Sequence, residues 1–388
     1  AARGLPGLTF AAPAFLTLGP GPSLPRSPLR AQSRGDWRSW LVRPLPCLVA
    51  AAAGAARVRA AGPLRSLSAM RPRIDAHLHL WTPDVERYPC EVAPAEHLNQ
   101  DGRATFQNFV KLMDGAGIAQ AVVVQPINYG QDYSYLTAAM DAEPTRLRGM
   151  FVADARVGPT EAGAWIERMA RSHAGWVGVR FNPYKWPESS PDGMADGTGL
   201  AMFRRAGELG LVVGFMPFKG LARHGSEVRS LLTSSPNTRV IVDHWGFFLQ
   251  PATGFGEERE LDEESWRSLL ELAAFPQVFV KISALFRVTR DPWPFTSLSD
   301  RLKQLLDAFG SERLLWGSDF PYATEHSEYG PAVVALEEWP VWKEMSESDR
   351  DNLVAGTAAR LFGLPVPDKQ VAVATAVAES GNVKGKEL

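Results

Sequence analysis

Cysteine is nearly missing from this chain: its 388 residues contain Cys47, Cys90 and no other. Two thiols exclude a disulfide framework and any site built on thiolates, and they suit a reducing or redox-neutral compartment. Lysine is absent from residues 1–73, and acids are reduced there to Asp36, while eleven arginines bring that stretch to a charge of +10. The remainder carries 30 basic and 42 acidic residues, a charge of −12. A mildly acidic body gives no reason to expect nucleic acid or an anionic membrane as a partner. The apolar run 45–56 contains Pro46 and is too short to cross a bilayer. A glycine-rich phosphate loop is also missing after the first expected strand, where His-Leu-His-Leu-Trp stands instead. That argues against a doubly wound nucleotide-binding sheet.

Residues 1–70 are rich in Arg, Ala, Pro, Leu, Ser and Gly and show no sustained helical or strand period. Such a segment buries too little apolar surface to offset its ordering entropy, so disorder is expected. An arginine-rich, serine-containing, acid-poor leader is the pattern of an organelle transit peptide. A chloroplast is favoured over a mitochondrion because no amphipathic arginine-rich helix opens the segment. A competing reading makes Met70, four residues before the first strand, the true start, and the protein would then be cytoplasmic. Residues 366–388 lack a core pattern and are expected to form a mobile tail.

Between these ends, residues 71–365 read as one domain in which short β-branched runs alternate with helical segments. Strands are expected at Ile74–Leu80, Ala121–Gln125, Leu147–Ala153, Trp176–Phe181, Leu211–Met216, Arg239–His244, Val278–Ile282 and Arg313–Trp316. Helical spacing of apolar residues marks 105–116, 160–173, 200–209, 227–233, 262–274 and 298–309, with Thr105 a candidate N-cap. A closing helix is expected at 349–362, ended by Gly363 and Pro365. Eight strands in this alternation predict an α/β fold, a (β/α)8 TIM-like barrel, because each parallel strand needs a crossover connection.

In such a barrel, polar residues at the C-terminal ends of strands line one mouth, where chemistry is placed. His77 and His79, one residue apart, cannot share a helix face but point the same way on a strand. Strand six ends at His244 and Trp245, and strand eight is followed by Asp319. Three imidazoles and a carboxylate can hold a divalent ion, or activate water and orient a carbonyl without one. Taken singly, His244 reads equally well as a core histidine and Asp319 as a helix N-cap; their arrival together at matching ends favours a site. Arg180, ending strand four, either pairs with an acid such as Asp154 or waits for a substrate carboxylate, and Arg287 has the same two readings. Tyr184 and Trp245 are expected to form further substrate wall.

Ile-Asp-Ala-His-Leu-His, Gly-Val-Arg-Phe-Asn, Val-Ile-Val-Asp-His-Trp-Gly and Leu-Leu-Trp-Gly-Ser-Asp-Phe-Pro occur in that order. This pattern resembles the amidohydrolase-2 branch of the amidohydrolase superfamily over roughly 73–363, and is most similar to its lactonase-like group. The resemblance implies a TIM-like barrel and hydrolytic or decarboxylating chemistry on small carboxylated compounds. It also implies catalytic roles for His77, His79, His244 and Asp319, with His77, His79 and Asp319 as candidate ligands of one zinc-class ion. Metal-binding members place a further histidine at the end of strand five, where Met216 stands here. A thioether suits such a cation poorly, so the ligand set is incomplete unless the loop bearing His224 folds back. No lysine ends strand four, so a carbamate-bridged pair of ions is not expected. The expected activity is hydrolysis of a lactone of a small carboxylated molecule, with Asp319 as general base and with or without a metal. A zinc-dependent decarboxylase or amidohydrolase using the same residues, and a non-catalytic barrel, are the alternatives.

Overall fold

A computed structural model describes residues 71–94, 102–187, 190, 192–252 and 259–366. The leader expected at 1–70 and the tail beyond Val366 lie outside the described residues.

Eight strands form one parallel sheet: β1 (Arg73–Leu78), β2 (Ile118–Val124), β3 (Leu147–Val152), β4 (Trp176–Phe181), β5 (Val212–Phe215), β6 (Val240–Val242), β7 (Val278–Ile282) and β8 (Leu314–Trp316). Each pairs with the next in chain order. The chain leaving β8 returns to β1 through a parallel bridge between Leu78 and Phe320. There His79 N donates to Phe320 O at 2.7 Å and Asp319 N to His77 O at 2.8 Å. The sheet thereby closes on itself as the expected (β/α)8 barrel, and closure removes the edges that an open sheet would leave unpaired.

Among the described residues, one longer helix lies in each connection between successive strands: α1 (Phe106–Ala116), α2 (Ser134–Ala142), α3 (Pro159–Ser172), α4 (Gly197–Glu208), α5 (Gly225–Ser234), α6 (Glu263–Glu271) and α7 (Ser299–Phe309), and the last connection also holds the short helical turn Leu285–Val288. α1 shows why they form where they do. The Thr105 side chain accepts from Asn108 N, Gly117 ends the helix in the left-handed region, and Phe109, Met113 and Ala116 bury one face. α2 has no counterpart among the helices expected from sequence. At its start Asp132 Oδ1 accepts from Ser134 N at 2.9 Å, and Tyr135, Leu136, Ala139 and Met140 bury one face at helical spacing. The expected closing helix is present and starts two residues earlier, running through Glu347–Asp351, a π turn at Asn352–Gly356 and Thr357–Phe362, and Gly363 stops it in the left-handed region. A two-residue antiparallel pair, Leu249–Gln250 with Glu260–Leu261, sits in the long connection between β6 and β7.

Candidate active site

The site is assembled where β1 meets the chain leaving β8. The pairing of β1 with β2 slips between Asp75 and Leu78, so His77 sits at an irregularity. Gly317 makes room for it: a Cβ there would lie 2.8 Å from His77 N and 2.9 Å from His77 Cβ, which only glycine avoids. Asp75 fastens the two chains. It accepts hydrogen bonds from His77 N (3.1 Å), Ser318 N (2.9 Å), the Ser318 hydroxyl (2.6 Å) and the Tyr329 hydroxyl (2.9 Å). Burial pushes the Asp75 carboxyl up, against the pull of those donors.

His77 and His79 then turn their Nε2 atoms toward each other at 3.3 Å. Asp319 Oδ1 lies 3.5 Å from His79 Nε2, 3.7 Å from His77 Nε2 and 3.9 Å from His244 Nε2. All four side chains are buried. His244 and Asp319 both take positive φ, 49° and 63°, as does Ala284 at 51°. A left-handed backbone costs a non-glycine residue roughly 1 kcal/mol or more, and such strain concentrates at functional sites. Here the strained residues His244 and Asp319 stand just past the ends of β6 and β8.

Burial sets the protonation states. It pushes the Asp319 carboxyl up to about 6, although Arg287, whose Nε donates to Oδ2 at 3.2 Å, pulls the other way. It drives His79 down to about 3, helped by Arg180. His77 and His244 also fall well below the ordinary imidazole value, first by burial, then through Lys281 for His77 and through His77 for His244. All three imidazoles are therefore neutral at pH 7, each with one N–H and one lone pair.

A second carboxylate stands behind this group. Asp243 Oδ1 is 3.0 Å from Lys281 Nζ, and its Oδ2 is 3.3 Å from Arg180. Burial alone would raise Asp243, but Lys281 and Arg180 hold it below the usual carboxylate range. The partner of Arg180 is thus Asp243 and not Asp154, which is taken by Arg156 at 2.8 and 3.0 Å. Arg287 pairs with Asp319, its guanidinium lying against Phe286 and Tyr322.

The expected wall residues are placed differently. Trp245 is fully buried beside Trp339, ring centroids 6.4 Å apart, and packs in the barrel wall. The Tyr184 hydroxyl accepts from Lys219 N at 2.9 Å and lies 3.2 Å from His224 Nε2, tying the loop after β4 to the loop after β5. His224 is held there, its Nδ1 3.2 Å from Glu227, so it does not supply the ligand missing at Met216. Lys281 falls inside the strand expected at Val278–Ile282 and was given no role from sequence. A lysine between Val280 and Ile282 in a buried strand is itself the signal, because a fully buried lysine needs a partner.

With this geometry in hand, comparison places the protein among known ones. A profile of the Amidohydrolase family matches residues 74–364. The chain belongs to the amidohydrolase-2 family. It is accordingly a hydrolase-class enzyme. Over 298 residues it is 26% identical to 4-sulfomuconolactone hydrolase of Hydrogenophaga intermedia, covering 74% of this chain and 88% of that one. Over 305 residues it is 26% identical to L-fucono-1,5-lactonase of Burkholderia multivorans, covering 76% and 97%. A solved structure of a candidate 2-pyrone-4,6-dicarboxylic acid hydrolase from Pseudomonas putida superposes with a TM-score of 0.59 at 25% identity, covering 77% of this chain and all of that one.

A further amidohydrolase structure, from Burkholderia multivorans, contains zinc; at 23% identity and a TM-score of 0.57 over 76% of this chain and all of that one, the likeness is one of fold. In this amidohydrolase, ligand atoms of His77, His244 and Asp319 lie within 4.8 Å of one another, the spacing of a metal cluster, whereas His77, His79 and Asp319 were the expected ligands. A ligating imidazole turns one lone pair to the metal and donates its other N–H to an acceptor. His79 satisfies this, its Nδ1 2.8 Å from the Val124 carbonyl, and His244 Nδ1 has the Ser283 hydroxyl at 2.7 Å. His77 does not: its Nδ1 faces Lys281 Nζ at 3.0 Å, and an ammonium has no lone pair to accept with. As arranged, the donor set does not fit a resident divalent ion.

Proposed function

We propose that this enzyme hydrolyses a lactone, or a related cyclic ester, of a small carboxylated molecule. The observation that carries the reading is the Asp319 carboxylate gathered with three neutral imidazoles, its Oδ1 3.5–3.9 Å from their Nε2 atoms, so that an oxygen lying against the group can reach both the base and an N–H donor. Its relatives named as lactone hydrolases support it. Asp319 takes a proton from water as the water oxygen bonds to the ring carbonyl carbon. His77 and His79 orient that water and polarise the carbonyl, and N–H donors among the imidazoles receive the developing oxyanion. Collapse of the tetrahedral adduct breaks the ring C–O bond, and Asp319 gives the proton it gained to the departing oxygen, leaving a ring-opened hydroxy acid.

Arg180, Lys281 and Arg287 face the two carboxylates Asp243 and Asp319, so an anionic substrate complements the site. Arg180 Nε is buried without a protein partner, and a guanidinium offers five donors, enough to hold Asp243 and a substrate carboxylate together. A panel of lactones with and without a carboxylate, assayed against the wild type and Asp319→Asn, tests the reading. Turnover of carboxylated lactones that disappears in the variant supports it. Equal rates in both proteins would overturn it.

A further inference from the structure

The buried cation beside His77 takes no part in the steps above. Lys281 is 0% exposed, and its Nζ is 3.0 Å from both Asp243 Oδ1 and His77 Nδ1. Burial pulls the Lys281 amine below the usual lysine range, but the Asp243 carboxylate beside it, itself held below the usual carboxylate range by Lys281 and Arg180, favours the ammonium, a group that only donates. The nitrogen it touches must therefore accept. A neutral imidazole accepting at Nδ1 carries its proton on Nε2, the atom turned toward His79 and Asp319. Without the lysine a different pairing is at hand, since His77 Nδ1 is also 3.5 Å from Asp243 Oδ1. An Nδ1–H donated to that carboxylate would leave Nε2 with a lone pair, the state of a metal-ligating histidine backed by an acid.

We infer that Lys281 is a positioning residue that fixes the His77 tautomer, making its Nε2 an N–H donor toward the reaction centre and denying that nitrogen to a divalent cation. His79, on the same strand, is set the opposite way: its Nδ1 donates to Val124 O, and its Nε2 lone pair faces the centre. The two histidines of one motif thus form a donor and an acceptor, able to hold one water or carbonyl oxygen in a defined orientation. The inference rests on the proposed reaction only for that last use; the tautomer and the metal preference stand without it.

The test uses the full-length protein with 15N-labelled histidine, with the His77 signals assigned by their loss in His77→Asn. Wild type is expected to show His77 protonated at Nε2 and bare at Nδ1, and Lys281→Met is expected to reverse the two. Titration with zinc alone should show binding tightened about tenfold or more in Lys281→Met, the range by which outer partners of metal histidines act. A wild-type His77 protonated at Nδ1, or equal zinc affinity in the two proteins, would overturn the assignment. Should Lys281→Met fail to fold, the wild-type spectrum alone decides. Neither readout needs turnover, so an inactive lactone panel leaves this test intact.

Discussion

Asp243 and Asp319 are chemically the same group, both buried just past the ends of β6 and β8 of one barrel, yet they are held in opposite states. Asp243 touches two cations, Lys281 and Arg180, and stays below the usual carboxylate range. Asp319 touches one, Arg287, and burial carries it up to about 6. A second cation makes the difference between a fixed counter-ion and a group able to take a proton near neutrality. Environments that push paired acids apart in this way mark which one does acid–base work.

Removing the proton acceptor breaks this comparison most sharply. Asp319→Asn should lower kcat by about 10²–10⁴-fold, the usual contribution of a general base, while circular dichroism shows the fold unchanged. A loss of less than tenfold would make Asp319 another counter-ion. Asp243→Asn should act on stability, because it strands Lys281 and Arg180 as buried charges. Breaking a buried pair in this way costs about 3–5 kcal/mol, read as a lower urea midpoint.

The pH profile sharpens the contrast further. Asp319 must be ionised to accept a proton, so kcat/KM should fall about tenfold per unit below about pH 6, well above the pH at which an ordinary carboxylate titrates. Arg287 favours the ionised form, so Arg287→Gln should move that limb to higher pH; an unmoved limb would separate it from Asp319. The smallest effect belongs to a residue remote from both acids. Thr105→Ala, which removes the N-cap of α1, should cost about 1 kcal/mol of stability and leave kcat/KM unchanged.

How much of this could be read in advance depended on whether the interaction is local. All eight strands were legible because runs such as Ala-Val-Val-Val and Val-Ile-Val carry their own signal, although β5, β6 and β8 proved shorter than expected. The ends retreated for a physical reason at β6, where His244 departs into a left-handed conformation that pairing cannot use. α2 was missed because Thr137 and Ala138 on its outer side give little polar contrast to the buried Tyr135, Leu136, Ala139 and Met140. Arg180 was recognised as an arginine needing an acid, but choosing Asp243 over Asp154 required knowing that strands four and six bring their ends together across the mouth.

The sequence by itself determined the alternation of strands and helices, and with it the barrel. It also put His77 and His79 on one face of the first strand, through a two-residue period, and His244 and Asp319 just past the ends of β6 and β8. Only the tertiary structure decided what those groups face. Lys281 meets His77 across 204 residues of chain, and Arg287 meets Asp319 because the loop after β7 folds over the exit of β8. The protonation state of a buried histidine or carboxylate is set by its nearest charges and by exclusion of water, and neither exists until the barrel has closed.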